Sequence, residues 1–227
     1  MVSVRMWIDS ERLISMRGPS VMAAEDVSRT LSAGTGPRQP GGILVALANA
    51  LVARTRPVVA AIEDTCDDFE EALTNDETPD PSAARISATR RRAIELRRYL
   101  APQREVMLEL AAAAGVPLTG DDRRALRRNA DQVTRLVEDL DVARERGAVT
   151  HEEVTERLSL RMNSNMYLLS IVAVVFLPLT FVTGLLGINV GGIPGAETGW
   201  AFLAICAGLI VLLIAEIWFL RRRHWLD

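Results

Sequence analysis

Phe176-Leu-Pro-Leu-Thr-Phe-Val-Thr-Gly-Leu-Leu-Gly-Ile-Asn-Val-Gly-Gly-Ile-Pro-Gly195 closes the first of two long apolar segments and decides the fold class. No charged side chain occurs from Asn163 to Ala196. A hydrocarbon core of about 30 Å takes about 20 apolar residues in a helix, and Met166–Leu186 has that length. Gly187-Ile188-Asn189 ends the segment and opens a glycine-rich loop. Trp200–Leu220 then returns with one charge, Glu216. Two spans joined by so short a loop form a membrane hairpin.

Charge around the hairpin sets its expected orientation. The 26 basic residues are all arginine. Arg144, Arg146, Arg157 and Arg161 precede the first span, Arg221, Arg222 and Arg223 follow the second, and the loop has no basic residue. The positive-inside rule therefore puts both termini in the cytoplasm and residues 187–199 outside, in a multi-pass inner or plasma membrane protein. Met1 leads at once into a strand pattern, so no signal peptide is expected. Cys66 and Cys206 lack metal-ligand spacing and are expected to stay unpaired.

Ahead of the membrane the chain reads as mainly α. Val2–Ile8 alternates with period two, and Leu13–Met16 is a second apolar run, which together predict a β-hairpin. A lone hairpin is marginal in water, so these strands are expected to be the edge of a larger sheet. Ser32–Gly42 reads as a loop. Ile43–Leu73 reads as a helix, with Pro57 expected to kink or restart it. Ser82–Ala114 reads as a second helix, interrupted at Pro102 and stopped by Gly115 and Pro117. Asp121 or Asp122 is expected to cap a third. Leu126, Val133, Leu140, Gly147 and Val154 lie seven apart, a coiled-coil-like seam. Run on to Leu186, this helix would reach roughly 100 Å, with Gly147 its weak point. Its seam is expected to pack on neighbouring subunits or on the second helix. The residues before the membrane are not expected to build an ordinary core. The predicted organisation is thus 1–41, a residual sheet edge and loop; 42–120, cytoplasmic helices; 121–165, a stalk helix continuous with the first span; and 166–227, a two-span transmembrane domain.

The chemistry concentrates in the first span. Asn163, Met166, Leu169, Ala173, Leu177, Thr180 and Gly184 follow at steps of three and four and share one helical face. Small and polar groups on a membrane helix mark close helix packing. Around an axis, the same face would line a narrow pore with apolar constrictions. Periodicity leaves both readings open. Gly187-Ile188-Asn189 has two readings as well. It supplies a left-handed helix cap, or its amide and the free carbonyls of the helix end form a ring of oxygens for a hydrated cation.

Context separates the readings. Tyr167-Leu-Leu-Ser170, Phe176-Leu-Pro-Leu-Thr-Phe181, Thr183-Gly-Leu-Leu-Gly-Ile-Asn189 and a second span ending in a basic cluster together resemble the CorA superfamily of divalent-cation transporters. The family's Gly-Met-Asn motif reads Gly187-Ile188-Asn189 here. Val190-Gly-Gly-Ile-Pro-Gly195 resembles the zinc-transporter (ZntB) branch, as do Arg128-Asn-Ala, Val137-Glu-Asp-Leu-Asp141 and Arg161-Met-Asn-Ser-Asn-Met-Tyr167. The resemblance covers about residues 40–227. It implies a homopentamer whose first span lines the pore, with the second span outside it. Gly187, Ile188 and Asn189 would form the outer metal filter, and Asn163, Met166, Leu169, Ala173, Leu177, Thr180 and Gly184 would line the conduit. It further implies inward Zn²⁺ transport coupled to protons, with no cofactor and with membrane lipid and divalent ions as partners. A Mg²⁺ or Co²⁺ channel of the same superfamily is the alternative within that class. Family members carry a larger α/β cytoplasmic domain, whose first hundred or so residues have no counterpart here. Val2–Met16 would be its last strands, and a non-conducting membrane scaffold is the alternative that this departure raises.

Other candidates are weaker. Glu63, Asp64, Asp67, Asp68, Glu70 and Glu71 read as a solvated acidic face, with a cation-attracting surface as the sharper reading. His151-Glu152-Glu153 has zinc-ligand chemistry but reads as a solvated stretch. His224 is expected at the headgroups. Glu216 is expected to pair with the Arg221–Arg223 cluster, a proton-coupling carboxylate being the sharper reading. No nucleophile motif, phosphate loop or Cys/His cluster appears, so neither an enzyme nor a nucleic-acid binder is expected.

Overall fold

The computed structural model describes residues 4–17, 21–75, 79–187 and 198–222. It divides into two compact units, Met1–Glu156 and Arg157–Asp227.

The first unit opens with the expected hairpin. β1 (Val4–Ile8) pairs antiparallel with β2 (Leu13–Arg17), Trp7 facing Ile14 and Ile8 facing Leu13. Asp9 makes the turn: its Oδ1 accepts from the backbone N–H groups of Glu11 and Arg12, each at 2.8 Å. Among the described residues this two-stranded sheet has no further strand. Helix packing holds it instead, with Ile8 and Leu13 against the main core and Val4 against a smaller cluster.

α1 (Met22–Ser32) has no counterpart in the sequence reading, and it occupies the stretch before the predicted loop. It docks on the start of α2 through Ala23 and Val27 against Leu47. Arg54 clamps it with two hydrogen bonds to Asp26, at 2.6 and 2.9 Å.

α2 (Pro40–Thr74) takes in the last three residues of the predicted loop, because Pro40 and the two glycines after it form its first turn rather than ending the loop. Proline is well placed there, since its missing N–H would be unsatisfied in a first turn anyway. α3 (Ala83–Ala112) is capped by Ser82, whose Oγ accepts from the Arg85 N–H at 3.3 Å. Both helices run on without interruption, α2 past Pro57, where a kink or restart was expected, and α3 past Pro102, where an interruption was expected. An internal proline costs about 3 kcal/mol. Here buried side chains flank each one, Val52 and Val59 on α2 and Leu100 and Met107 on α3, and their burial outweighs it.

α4 (Gly120–Leu186) is the third helix, unbroken for 67 residues. Its cap is Thr119 rather than either aspartate. The Thr119 N–H donates to Asp122 Oδ2 at 2.9 Å and the Asp122 N–H donates back to Thr119 Oγ1 at 3.1 Å, a reciprocal capping box.

α2 and α4 run parallel, as contacts at a nearly constant offset show. Arg56 meets Gln132, Cys66 meets Ala143, and Glu70 and Asp67 meet Arg146, at sequence separations of 76 to 79 residues. α3 runs antiparallel to α4: Arg97 meets Asp141 near its middle, and Arg123 donates to the Ala111 and Ala113 carbonyls at its end. The predicted seam fills the space between them. Leu126, Val133, Leu140, Gly147 and Val154 are all buried. Leu126, Val133 and Leu140 share one continuous core with Val52, Val59, Ile62, Ala93, Leu100 and Met107. Phe69, Leu73, Ile86 and Val154 make a second cluster. The expectation of a poor core was therefore wrong, and the seam is satisfied by α2 and α3 of its own chain. Gly147 is no weak point. A Cβ there would stand 2.7 Å from Arg90 Cγ, so glycine admits α3 at close range.

α5 (Ala201–Arg222) belongs to the second unit, with the C-terminal part of α4. Among the described residues three helices, Pro40–Thr74, Gly120–Leu186 and Phe202–Arg222, are long and apolar enough to cross a membrane.

Candidate functional site

In the second unit, the apolar part of α4 has two unlike sides. Ile171, Val175, Pro178, Leu179 and Val182 are half-buried, and they recur at steps of three and four. Asn163, Met166, Leu169, Ala173, Leu177, Thr180 and Gly184 are all exposed. At 100° per residue the centres of these two sets lie about 180° apart. The face predicted from the sequence is exposed, Met166 being 66%, Leu169 70% and Leu177 69% exposed, as are Leu168, Phe176 and Phe181 beside it. α5 has a corresponding covered side, made by Ile205, Leu209, Leu212, Leu213, Glu216 and Leu220.

Two hydroxyls near this face are already used. Ser170 Oγ donates to the Met166 carbonyl at 2.8 Å, and Thr183 Oγ1 donates to the Leu179 and Thr180 carbonyls at 3.0 and 3.1 Å. Pro178 offers no N–H to the carbonyl one turn back, which weakens the helix ladder within the apolar segment. A hollow of about 390 Å³ lies beside Leu160, Asn163, Ser164, Met166, Tyr167 and Ser170, so Asn163 and Met166 border open space. At the far end the Gly187 N–H donates to the Thr183 carbonyl at 2.9 Å, one further helical bond past Leu186. Ile188 and Asn189, the rest of the predicted filter, lie outside the described residues, as do Arg223 and His224.

The remaining candidates resolve individually. Of the acidic run, Asp67 and Glu70 are held by one cation, Arg146, at 2.5 and 2.7 Å. That hydrogen bond keeps the Glu70 carboxyl below the usual range. Partial burial, and then repulsion from Asp139, Asp67 and Asp64, pushes Glu63 up. Asp64, Asp68 and Glu71 are exposed. This lock between α2 and α4 was invisible to a reading of the acidic run alone. Its one sequence signal is Arg146 itself, at the edge of the heptad seam. His151 is half-buried with Nδ1 enclosed and without a hydrogen-bond partner. Among the described residues no group of three or more His, Cys, Asp or Glu side chains gathers to hold a metal. Cys66 is buried and Cys206 half-buried, both as free thiols, and burial pushes the Cys66 thiol up.

Among the described residues Glu216 forms no ion pair with Arg221 or Arg222, and Arg223 lies outside them. Its Oε2 is enclosed and lacks a hydrogen-bond partner. It shares the covered side with Leu212, Leu213 and Leu220, about 120–140° around the helix from Arg221 and Arg222. Arg222 instead lies over the Trp218 ring, 5.1 Å from its centroid.

The model of the CorA-like Mg²⁺ transporter protein family matches residues 1–222. The chain belongs to that family. It is 39% identical to the divalent cation transporter CmaX of Pseudomonas aeruginosa over 226 residues, all of this chain and 68% of that protein. It is 34% identical to the zinc transport protein ZntB of Yersinia enterocolitica, again over all of this chain and 68% of the relative. The solved structure of full-length CmaX superposes with a TM-score of 0.80 at 38% identity, covering 99% of this chain and 69% of that one. The chain thus spans about two thirds of the length of these relatives. The resemblance drawn from Gly187-Ile188-Asn189 and its surroundings is borne out.

Proposed function

We propose that the chain conducts divalent metal cations across a membrane as a homopentamer, with Zn²⁺ preferred over Mg²⁺, through a pore lined by the apolar part of α4. One observation carries the reading: the seven lining positions are all exposed, and Ala173, Leu177, Thr180 and Gly184 lie on the side opposite the covered one. Polar side chains such as Thr180 are costly against lipid. Several copies gathered around an axis would give them one another and a water-filled path, with Leu169 and Leu177 as apolar constrictions. Gly187-Ile188-Asn189 would form the outer ring of oxygens, holding an ion that keeps its water.

Two spans suffice. The apolar positions of α2 are already taken by the core, Leu44, Leu47, Val52, Val59 and Ile62 all being buried. Its outer face carries the acidic run. α2 therefore stays in the cytoplasm with the rest of 1–165, while residues 166–227 cross and return with both termini inside. The names of the relatives favour Zn²⁺ as cargo, and uptake is inward and driven by protons.

The test is flux into liposomes holding the purified chain, read with a zinc-sensitive dye under an inward proton gradient. Zn²⁺ entry should rise with the gradient and exceed Mg²⁺ entry. Leu177→Trp, which fills the constriction, and Asn189→Ala should each reduce it. Entry indifferent to both substitutions would mean the pore lies elsewhere. No entry by an assembled chain would favour the scaffold.

A further inference from the structure

The last turn of α5 carries two cations, Arg221 and Arg222, both exposed. Among the described residues neither forms an ion pair. The one carboxylate nearby on the helix, Glu216, is on the covered side with an enclosed oxygen. Among the described residues these exposed guanidiniums are therefore open to an anionic group from outside the chain.

The surface beside them narrows the choice. Val211, Ile214 and Trp218, exposed by 65%, 61% and 59%, lead in steps of three and four to Arg222. The rise from Val211 to Arg222 is about 16 Å, close to half of the roughly 30 Å hydrocarbon thickness. An apolar stripe as long as one leaflet, topped by a guanidinium, fits a lipid and not a soluble anion. Trp218 is placed where indole rings favour the membrane–water boundary. The ring lies 5.1 Å from the Arg222 guanidinium and steadies it by a cation–π contact. That leaves the planar N–H fork free, the geometry that binds two phosphate oxygens together.

We infer that Arg222, with Arg221 beside it and Trp218 beneath it, holds the phosphate of an anionic phospholipid whose acyl chain lies along Val211 and Ile214. A zwitterionic lipid brings its own cation to the phosphate and leaves the two arginines unbalanced, so anionic lipid is preferred. The inference rests on α5 crossing the bilayer and not on ion conduction. A chain that fails to conduct but keeps its lipid would refute only the transport reading.

The test uses the full chain in detergent, with phosphatidylglycerol and phosphatidylcholine of identical acyl chains as probes. Retained lipid is counted by native mass spectrometry, and unfolding is followed by circular dichroism. The wild-type chain should retain phosphatidylglycerol over phosphatidylcholine and unfold at higher temperature in its presence. A basic side chain at a charged membrane surface changes binding about fivefold. Arg222→Gln should therefore lower phosphatidylglycerol retention by about that factor, leaving phosphatidylcholine unchanged. Arg91→Gln, on the exposed face of α3, should change neither. Equal retention of the two lipids by wild-type chain would overturn the inference without need of any variant. So would undiminished retention in Arg222→Gln, which would mean the arginines serve only the helix end. Displacement of the lipid by inorganic phosphate would mean a soluble-anion site and would also overturn it.

Discussion

Replacing Arg146 by methionine tests the contact that joins α2 to α4. The Arg146 side chain is 29% exposed, and its partners Asp67 and Glu70 are 65% and 49% exposed. Pairs this wet are worth about 0.2–1 kcal/mol each. Methionine keeps most of the apolar stem, so the loss should be about 1–1.5 kcal/mol. At about 2–4 °C per kcal/mol for a chain of this size, the first thermal transition should fall by roughly 2–6 °C near neutral pH.

The pH profile sharpens this prediction. Arg146 holds Glu70 below its ordinary value of 4.5. That stabilisation is present above 4.5 and is lost as pH falls through the lowered value. Glu63 acts in the opposite sense. Burial and three neighbouring aspartates raise it above 4.5, so its contribution favours folding below that value and is lost as pH rises through the raised one. Arg146 offsets part of that repulsion, and its removal makes the ionised form costlier still. The gap between wild type and Arg146→Met should therefore be widest near neutral pH and close as pH falls well below 4.5. Circular dichroism melts of the full chain across that range measure it. An unchanged melting temperature near neutral pH, or a gap that persists in acid, would refute the assignment.

Other substitutions probe packing and the conduit. Gly147→Ala should destabilise the chain although alanine is the better helix former by roughly 1 kcal/mol. The new methyl meets the Arg90 stem at 2.7 Å, and Arg90→Ala should restore stability; a Gly147→Ala chain as stable as wild type would show that α3 gives way freely. Leu140→Ala, at a site 1% exposed, should cost about 2–5 kcal/mol in denaturant unfolding, whereas Val142→Ala, at a site 57% exposed, should cost little. Tryptophan at Leu177 should leave folding intact and lower flux. Tryptophan at Ile171, on the covered side, should disturb folding first, and the reverse order would exchange the two faces.

Much of this protein is legible in order along the chain because the physics there is local. The absence of charge over 163–196 sets the first apolar segment. The seven-residue spacing from Leu126 to Val154 predicts which side of α4 is buried, and every one of those positions is. The lining face Asn163 to Gly184 follows from the same arithmetic. Where local signals mislead, non-local packing has overruled them. Pro57 reads as a kink or restart and Pro102 as an interruption, and flanking core side chains carry both helices on without interruption. At the start of α4 the deciding contact is itself local: Asp121 and Asp122 read as caps, and Thr119 takes the role because it exchanges hydrogen bonds with Asp122 three residues on.

The sequence by itself determined the two apolar segments, the buried seam and the family motif, since each is a pattern within one helix or loop. Only the tertiary structure decided what each face meets. It put Arg146 on carboxylates 76 and 79 residues away. It closed the seam with α2 and α3 of the same chain and enclosed Glu216 Oε2. Periodicity fixes which side chains share a face. It carries no information about the partner of that face, because that partner is set by chain segments distant in sequence competing for the same buried surface.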